Sequence, residues 1–551
     1  MSLWKLALPL LAAALLGSCD YSSADRCVSD YVGPPKEGLT CTPSAAGTTL
    51  PAGMSRQATS APAPGPLRVS VCQAVLLALE NNRSFNVDRY NPSIQRTNEQ
   101  MQLAAFDPVL NASYSFGKTR VDHNGVSDSN SGSADIALTE FLPTGTNIAL
   151  DLHNNFNSTD LVGDQLNTRI GLTVTQSLLR GYGLDVNLAS LRQAQLGTRI
   201  SEYVLRGQAE TLVSDVETAY WNYALTQRQI QIQEEGLKVA EQQLSETQER
   251  INVGTVAEVE LAAPQAQVAI QRESLINARS AAEVARLQLL RLMSPGDGSM
   301  FDRQVILTDI PEAPGVRLDP VENHIAVAEL FRPDMNEARL QVKSGELQVV
   351  KTRNGLLPVL DAFVTLGKTG YSESLGGTFK DLVNQSSFDV QGGLSFQYPI
   401  GNRGPRAANL AAVLSKQQME ESLKNLQQSV ELDVRNAYIE LLRTREQVAA
   451  TAVTRKAQEA VYRTEAEKLA VGKNTSFQVA QAQRDLVTAQ INEIAAVVQH
   501  LKSFTDLYRL EGSLLERRGV LAPGRQPAGP LIVEQETTVR PPCPAPPLPQ
   551  G

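Results

Sequence analysis

The residues best suited to nucleophilic or metal chemistry in this 551-residue chain are five cysteines and four histidines. Their placement argues against both kinds of chemistry. His123, His153, His324 and His500 are scattered, and no Cys-x-x-Cys pair occurs, so the spacing of a zinc or redox site is missing. No Ser/His/Asp grouping or phosphate-binding glycine loop stands out among the 59 acidic residues. We therefore expect no enzyme, no cofactor and no metal site.

One cysteine does carry a chemical expectation. Lys5 precedes an apolar run from Leu6 to Leu16, the length of a signal-peptide core and too short to span a bilayer. The run ends Leu16-Gly17-Ser18-Cys19, which resembles the small-residue cleavage site of a bacterial lipoprotein, where Cys19 would become N-terminal and acylated. An ordinary secretory peptide cleaved nearby is the plain alternative. Asp20 follows, a residue that in some bacteria marks inner-membrane retention, so the anchor alone does not choose the membrane. Cys27 and Cys41 are a plausible disulfide in an oxidising compartment, which spacing cannot show.

Around these residues the chain divides by texture. A net charge of -9 and a pI near 5.3 argue against nucleic acid, which requires basic patches. Residues 1–18 read as the signal peptide and 19–68, rich in Ser, Thr, Pro and Gly, as a flexible tether. Residues 513–551 read as a Pro-rich disordered tail.

Two very long helical patterns dominate the rest. In the first, about 185–251, Val216, Tyr223, Ile230, Leu237, Leu244 and Ile251 recur at an interval of seven, with Leu205, Leu212 and Ala219 as a second seam. The second, about 405–471, carries Val434, Leu441, Val448, Tyr462 and Leu469 on the same grid, interrupted by Arg455. A sustained seven-residue repeat keeps one stripe against a partner helix. Each helix would be roughly 100 Å long at 1.5 Å per residue.

The halves also match each other. Asp215-Val-Glu-Thr-Ala-Tyr220 aligns with Asp433-Val-Arg-Asn-Ala-Tyr438, and Val253-Gly254 with Val471-Gly472, both at an offset of 218. The chain is therefore an internal duplication of helical hairpins with Gly at each tip, where a helix end must turn. The first repeat spans 69–293, with its hairpin over 185–292; a linker covers 294–319; the second repeat spans 320–512, with its hairpin over 405–510.

Upstream of each hairpin the period changes to two, over about 109–176 and 358–398. Leu110, Ala112, Tyr114 and Phe116 alternate with polar residues, as do Ile170, Leu172 and Val174, and Phe388, Val390, Leu394, Phe396 and Tyr398. Such strands suit a membrane barrel, although a half-buried soluble sheet would alternate identically. The polar stretches Asp122–Ser133, Asn154–Asn167 and Gly370–Ser387 read as external loops.

Taken together, the residues resemble the TolC-like outer-membrane efflux protein family over about 69–512. The resemblance rests on Ala78-Leu-Glu-Asn-Asn82, Arg332-Pro-Asp334, Leu356-Leu-Pro358 and Tyr398-Pro-Ile400, and above all on Arg250-Ile-Asn-Val-Gly254 and Leu469-Ala-Val-Gly472. It implies an α+β membrane protein built from two internal repeats. Its homotrimer would form a β-barrel in the outer membrane, continued by a long antiparallel helical coiled-coil cylinder in the periplasm. It also implies an outer-membrane channel of a tripartite efflux or type I secretion system, docked to a periplasmic adaptor and an inner-membrane transporter, to which the Cys19 site would add a lipid anchor. A non-conducting periplasmic coiled-coil scaffold or adaptor is the alternative. Family members typically contribute four strands per protomer. An additional candidate hairpin here, Ala134–Leu142 and Thr146–His153, would make six and widen the barrel, or pack elsewhere.

The resemblance also nominates site residues. The family's periplasmic gate carries acids six and nine positions after the inner tip Gly, where this chain has Gln478 and Gln481; six after Gly254 stands Glu260. Glutamines hydrogen-bond without charge, so the gate is expected to be less cation-selective. Adaptor docking falls to Val253, Gly254 and Thr255 with Val471, Gly472 and Lys473.

Overall fold

A computed structural model describes residues 66–122, 126–159, 163–293, 301–313, 318–385, 387–520, 522 and 524. Cys19, Cys27, Cys41 and the signal peptide lie outside the described residues, as does most of the tether and tail.

The first repeat opens with three helices, α1 (Val71–Asn81), α2 (Arg83–Asp88) and α3 (Asn91–Leu103). Ser70 caps α1 through a reciprocal box with Gln73, and the Asn82 side chain accepts from the Phe85 amide to start α2. Strands β2 (Val109–Asp122), β3 (Val126–Phe141), β4 (Thr146–Thr159) and β5 (Gly163–Ser177) follow. The chain then enters the short α4 (Leu184–Asn187) and the 64-residue α5 (Ala189–Asn252), and returns through α6 (Ala262–Met293).

In the second repeat α7 (Val321–Phe331) and α8 (Pro333–Asn354) precede β7 (Val359–Ser372), α9 (Leu375–Asn384) and β8 (Asp389–Gln397). The 68-residue α10 (Arg403–Ala470) and α11 (Ser476–Leu510) complete it. The repeats thus differ chiefly in what joins their two shared strands: a β-hairpin in the first and a helix in the second. Arg332, just before α8, donates to Asp433 of α10 at 3.1 and 3.2 Å. That contact gives the Arg-Pro-Asp motif a physical role, bracing the start of one helix against the flank of another.

All six long strands form one antiparallel sheet, ordered β2-β3-β4-β5-β7-β8. The additional hairpin therefore belongs to the sheet. Its turn is tied to the helical end, since the Asn187 side chain donates to the Pro143 and Gly181 carbonyls at 3.0 and 2.8 Å. Two expected loops are corrected. β3 begins at Val126, and β4 and β5 run to Thr159 and from Gly163, so Asp122–Ser133 and Asn154–Asn167 are largely strand. In these stretches ladder hydrogen bonds between neighbours hold polar residues extended without an apolar face. The third stretch, Gly370–Ser387, contains α9.

The long helices pack side by side: α5 lies along α6 and α11, and α11 along α10. Arg455, which breaks the heptad seam, reaches Glu493 on α11 at 2.6 Å, so an interhelical ion pair replaces an apolar contact there. The main apolar core lies where α1, α5 and α6 meet a small parallel sheet of β1 (Leu67–Val69) and β6 (Val305–Leu307). These two strands show that the tether ends before Leu67 and that part of the expected linker is core.

The tail also starts later than its composition suggests. Helix α12 (Leu514–Arg517) buries Leu514 and Leu515 completely, each worth about 1.5–3 kcal/mol. Buried ionic contacts fix this segment. Glu217 accepts from Arg518 at 2.5 and 2.8 Å, and Glu511 meets His324 and Arg517 at 2.5 and 2.9 Å. Arg206, fully enclosed, donates to Glu516 at 2.7 Å and lies 3.3 Å from Glu210. Burial pushes the Glu210 carboxyl up to about 8 against the pull of Arg206.

Candidate tips, gate and lumen

Both hairpin tips end in the same backbone device. At the first, the Gly254 amide donates to Ile251 O and the Thr255 amide to Arg250 O, each at 2.9 Å. At the second, Gly472 donates to Leu469 O at 3.1 Å and Lys473 to Lys468 O at 2.9 Å. This pair of bonds satisfies the last helical carbonyls in the Schellman pattern, which puts the C′ residue in the left-handed region. Gly254 has φ +80° and Gly472 φ +70°, so glycine is needed for backbone reasons at both. The tips are neighbours, because Arg250 donates to the Leu469 carbonyl at 3.3 Å. Val253 and Val471 stand 78% and 68% exposed there, apolar side chains with nothing covering them in the protomer.

The expected gate residues divide. Glu260 sits on the short 3-10 turn Glu258–Leu261 and accepts from the Ser476 hydroxyl at 3.0 Å, across to the start of α11. It links the two hairpins. Gln478 and Gln481 are exposed on one side of α11, and Gln481 donates to Asp485 at 3.0 Å and accepts from Arg484 at 2.5 Å. Sequence reasoning missed Asp485. It lies one turn beyond Gln481 on the same exposed side, and its i, i+4 spacing was a signal available in the sequence.

The sheet has two unlike faces. One carries Leu110, Tyr114 and Phe116, Ile136 and Leu138, Ile148 to Leu152 in alternation, Ile170 to Val174, Val364 and Leu366, and Val390, Leu394 and Phe396, as the pairing register requires. Many are bare: Tyr114 is 77% exposed and Leu394 70%. Lys118, Glu140 and Lys368, the last paired with Ile170, are charged side chains on that face. The opposite face is polar and holds a belt of charge. Asp135 on β3 meets His153 on β4 and accepts from Ser113 on β2, and Arg169 on β5 donates to Asp389 on β8 at 2.6 Å. Asp151 lies beside Gly171, where a Cβ would come within 2.6 Å of its carboxylate. A Cβ at Gly367 would fall 2.5 Å from Asp389 and 2.7 Å from Arg169. Both glycines leave room for charged groups to lie flat across neighbouring strands. The edge strands β2 and β8 each have one unpaired side.

The sequence profile described as outer membrane efflux protein matches residues 75–294 and 325–513, which is most of the chain. The chain belongs to the outer membrane efflux protein family. Among relatives of this family, it is 24% identical over 466 residues to the probable efflux pump outer membrane protein TtgC of Pseudomonas putida, covering 81% of this chain and 84% of that one. It is 22% identical over 426 residues to the outer membrane efflux protein BepC of Brucella suis, covering 77% and 81%. The fold is that of the Campylobacter jejuni CmeC outer membrane channel, at a TM-score of 0.60 and 17% identity over 81% of this chain and 86% of that one.

Membership of the outer membrane efflux family gives the two-faced sheet its setting. Among the described residues no helix is long and apolar enough to cross a membrane. The charge belt escaped the sequence reading because its members are brought together by register across five neighbouring strands, from Asp135 to Asp389, and not by proximity in the chain.

Proposed function

We propose that three copies of this chain close into one duct, the outer-membrane channel component of a tripartite efflux or type I secretion system. The observation that carries this reading is a single six-stranded sheet with segregated faces and two unpaired edges. An open edge cannot face lipid, so β8 of one protomer pairs with β2 of the next. Three copies of six strands give eighteen, a size that leaves an aqueous channel. The bare apolar face contacts lipid, and the polar belt lines the lumen.

The helices support the same closure. Leu432, Ile439 and Val453 are exposed along α10 on an interval of seven or its double, and Ile270 and Val284 are exposed along α6. These two helices flank the four-helix layer and would meet between protomers. The paired tips then offer Val253, Gly254, Thr255, Val471, Gly472 and Lys473 to a periplasmic adaptor, beneath which an inner-membrane transporter supplies cargo. Gln478 and Gln481 narrow the entrance as uncharged side chains. Cys19, acylated, tethers the chain to the outer membrane.

Single-channel conductance on a sample of measured oligomeric mass tests this. A trimer forming discrete pores is expected, with a preference for cations that falls when Asp151 and Asp389 are changed to Asn. A non-conducting monomer would return the chain to the scaffold reading.

A further inference from the structure

Helix α9 lies on the apolar face of the sheet, at the end away from the long helices. It covers the polar part of that face. Thr168 on β5 is fully buried beneath it, donating to the Thr378 hydroxyl at 2.8 Å. A Cβ at Gly370 would collide with the Thr378 carbonyl at 2.2 Å, so the helix rests directly on β7. The Lys368 ammonium, on the same face, donates to the Val383 carbonyl at 3.3 Å at the end of the helix, where a cation is favoured. Ser374 caps the other end by accepting from the Gly377 amide at 3.3 Å.

What α9 presents outward is different. Leu375, Phe379 and Val383 recur every four residues and are 55%, 46% and 76% exposed. Lys380 and Asn384 occupy another flank of the same helix. The helix therefore hides a threonine and a glycine of the sheet, ties down a half-buried lysine, and sets three apolar side chains over them. Its stripe continues the bare apolar band of Ile170, Leu366 and Val364 toward the outer rim.

We propose that α9 is an interfacial membrane helix, whose Leu375, Phe379 and Val383 sit among lipid acyl chains at the outer end of the barrel. Short amphipathic helices bury such stripes at the headgroup boundary. This rests on the outer-membrane reading of the sheet. It makes α9 part of the membrane anchor, where the sequence suggested a solvent loop.

The test uses the full-length protein reconstituted in phosphatidylcholine vesicles brominated along the acyl chains. Phe379→Trp and Leu394→Trp are compared, each as emission added over the parent protein. The expected result is loss of the added emission for both, since bromine quenches only on contact. Quenching at position 394 without quenching at 379 would overturn the role of α9 and leave the membrane sheet standing. Quenching at neither would remove the membrane placement itself.

Discussion

Replacing Gly254 and Gly472 together with leucine separates the docking role proposed for the tips from their role as turns. Both glycines have left-handed backbones, φ +80° and +70°, and a residue with a Cβ loses about 1–2 kcal/mol there. No atom stands within 4 Å of a Cβ built at either site, so no clash adds to that cost. Each turn is then weakened by a factor of about 5–30, and the pair by about 2–4 kcal/mol in sum. That cost falls on two exposed turns remote from the apolar core around Tyr220 and Leu289, so assembly is expected to survive. The variant is expressed in a deletion strain. Native mass spectrometry measures the trimer, and survival on a compound that the deletion strain no longer clears measures export. Trimers should persist while export is lost. The double Asn variant controls for strain, because Asn enters the left-handed region readily, and it should export better than the Leu pair. Export equal to the parent in the Leu variant would refute tip docking. Loss of the trimer would refute the claim that the tips lie outside the assembly.

Two further outcomes follow from the gate and the core. Gln478→Asp with Gln481→Asp adds two carboxylates per chain to an exposed side of α11 that already carries Asp485; block by millimolar trivalent cations in planar bilayers should be stronger in the variant than in the parent. Glu210, held at about 8 by burial against an ordinary value of 4.5, is protonated in the fold where the unfolded chain has already ionised. The stability it contributes is full below pH 4.5 and is lost as pH rises to 8. Glu210→Gln should therefore gain on the parent in thermal melts across that window, by a few kcal/mol at its upper end. Equal pH profiles would show that Arg206 keeps Glu210 ionised.

The helical part of the fold was legible because its signals are local and repeated. The heptads at Val216 and Val434 mark helices that the structure ends at Asn252 and Ala470, within a residue of the ends expected at about 251 and 471. Glycine at each tip follows from backbone geometry alone, and both Schellman turns contain it. Composition misled at the borders. Leu514 and Leu515 lie next to a Pro-rich tail, and Leu67 next to a Ser/Pro-rich tether, so a windowed reading absorbed them into their neighbours. Their burial depends on α5 and β6, far away in the chain.

The sequence by itself determined the duplication, the long hairpins, the tip glycines and the alternation that makes one sheet face apolar, because each depends on residues a few positions apart. Only the tertiary structure decided that the additional hairpin joins the sheet, that Asp135, His153, Arg169 and Asp389 share one polar face, that Glu260 holds Ser476 and that α9 lies on the apolar side. These depend on strand register and on which element covers which. A one-residue change of register would send every side chain to the other face, and the ladder that prevents it joins residues as far apart as Leu166 and Ser372.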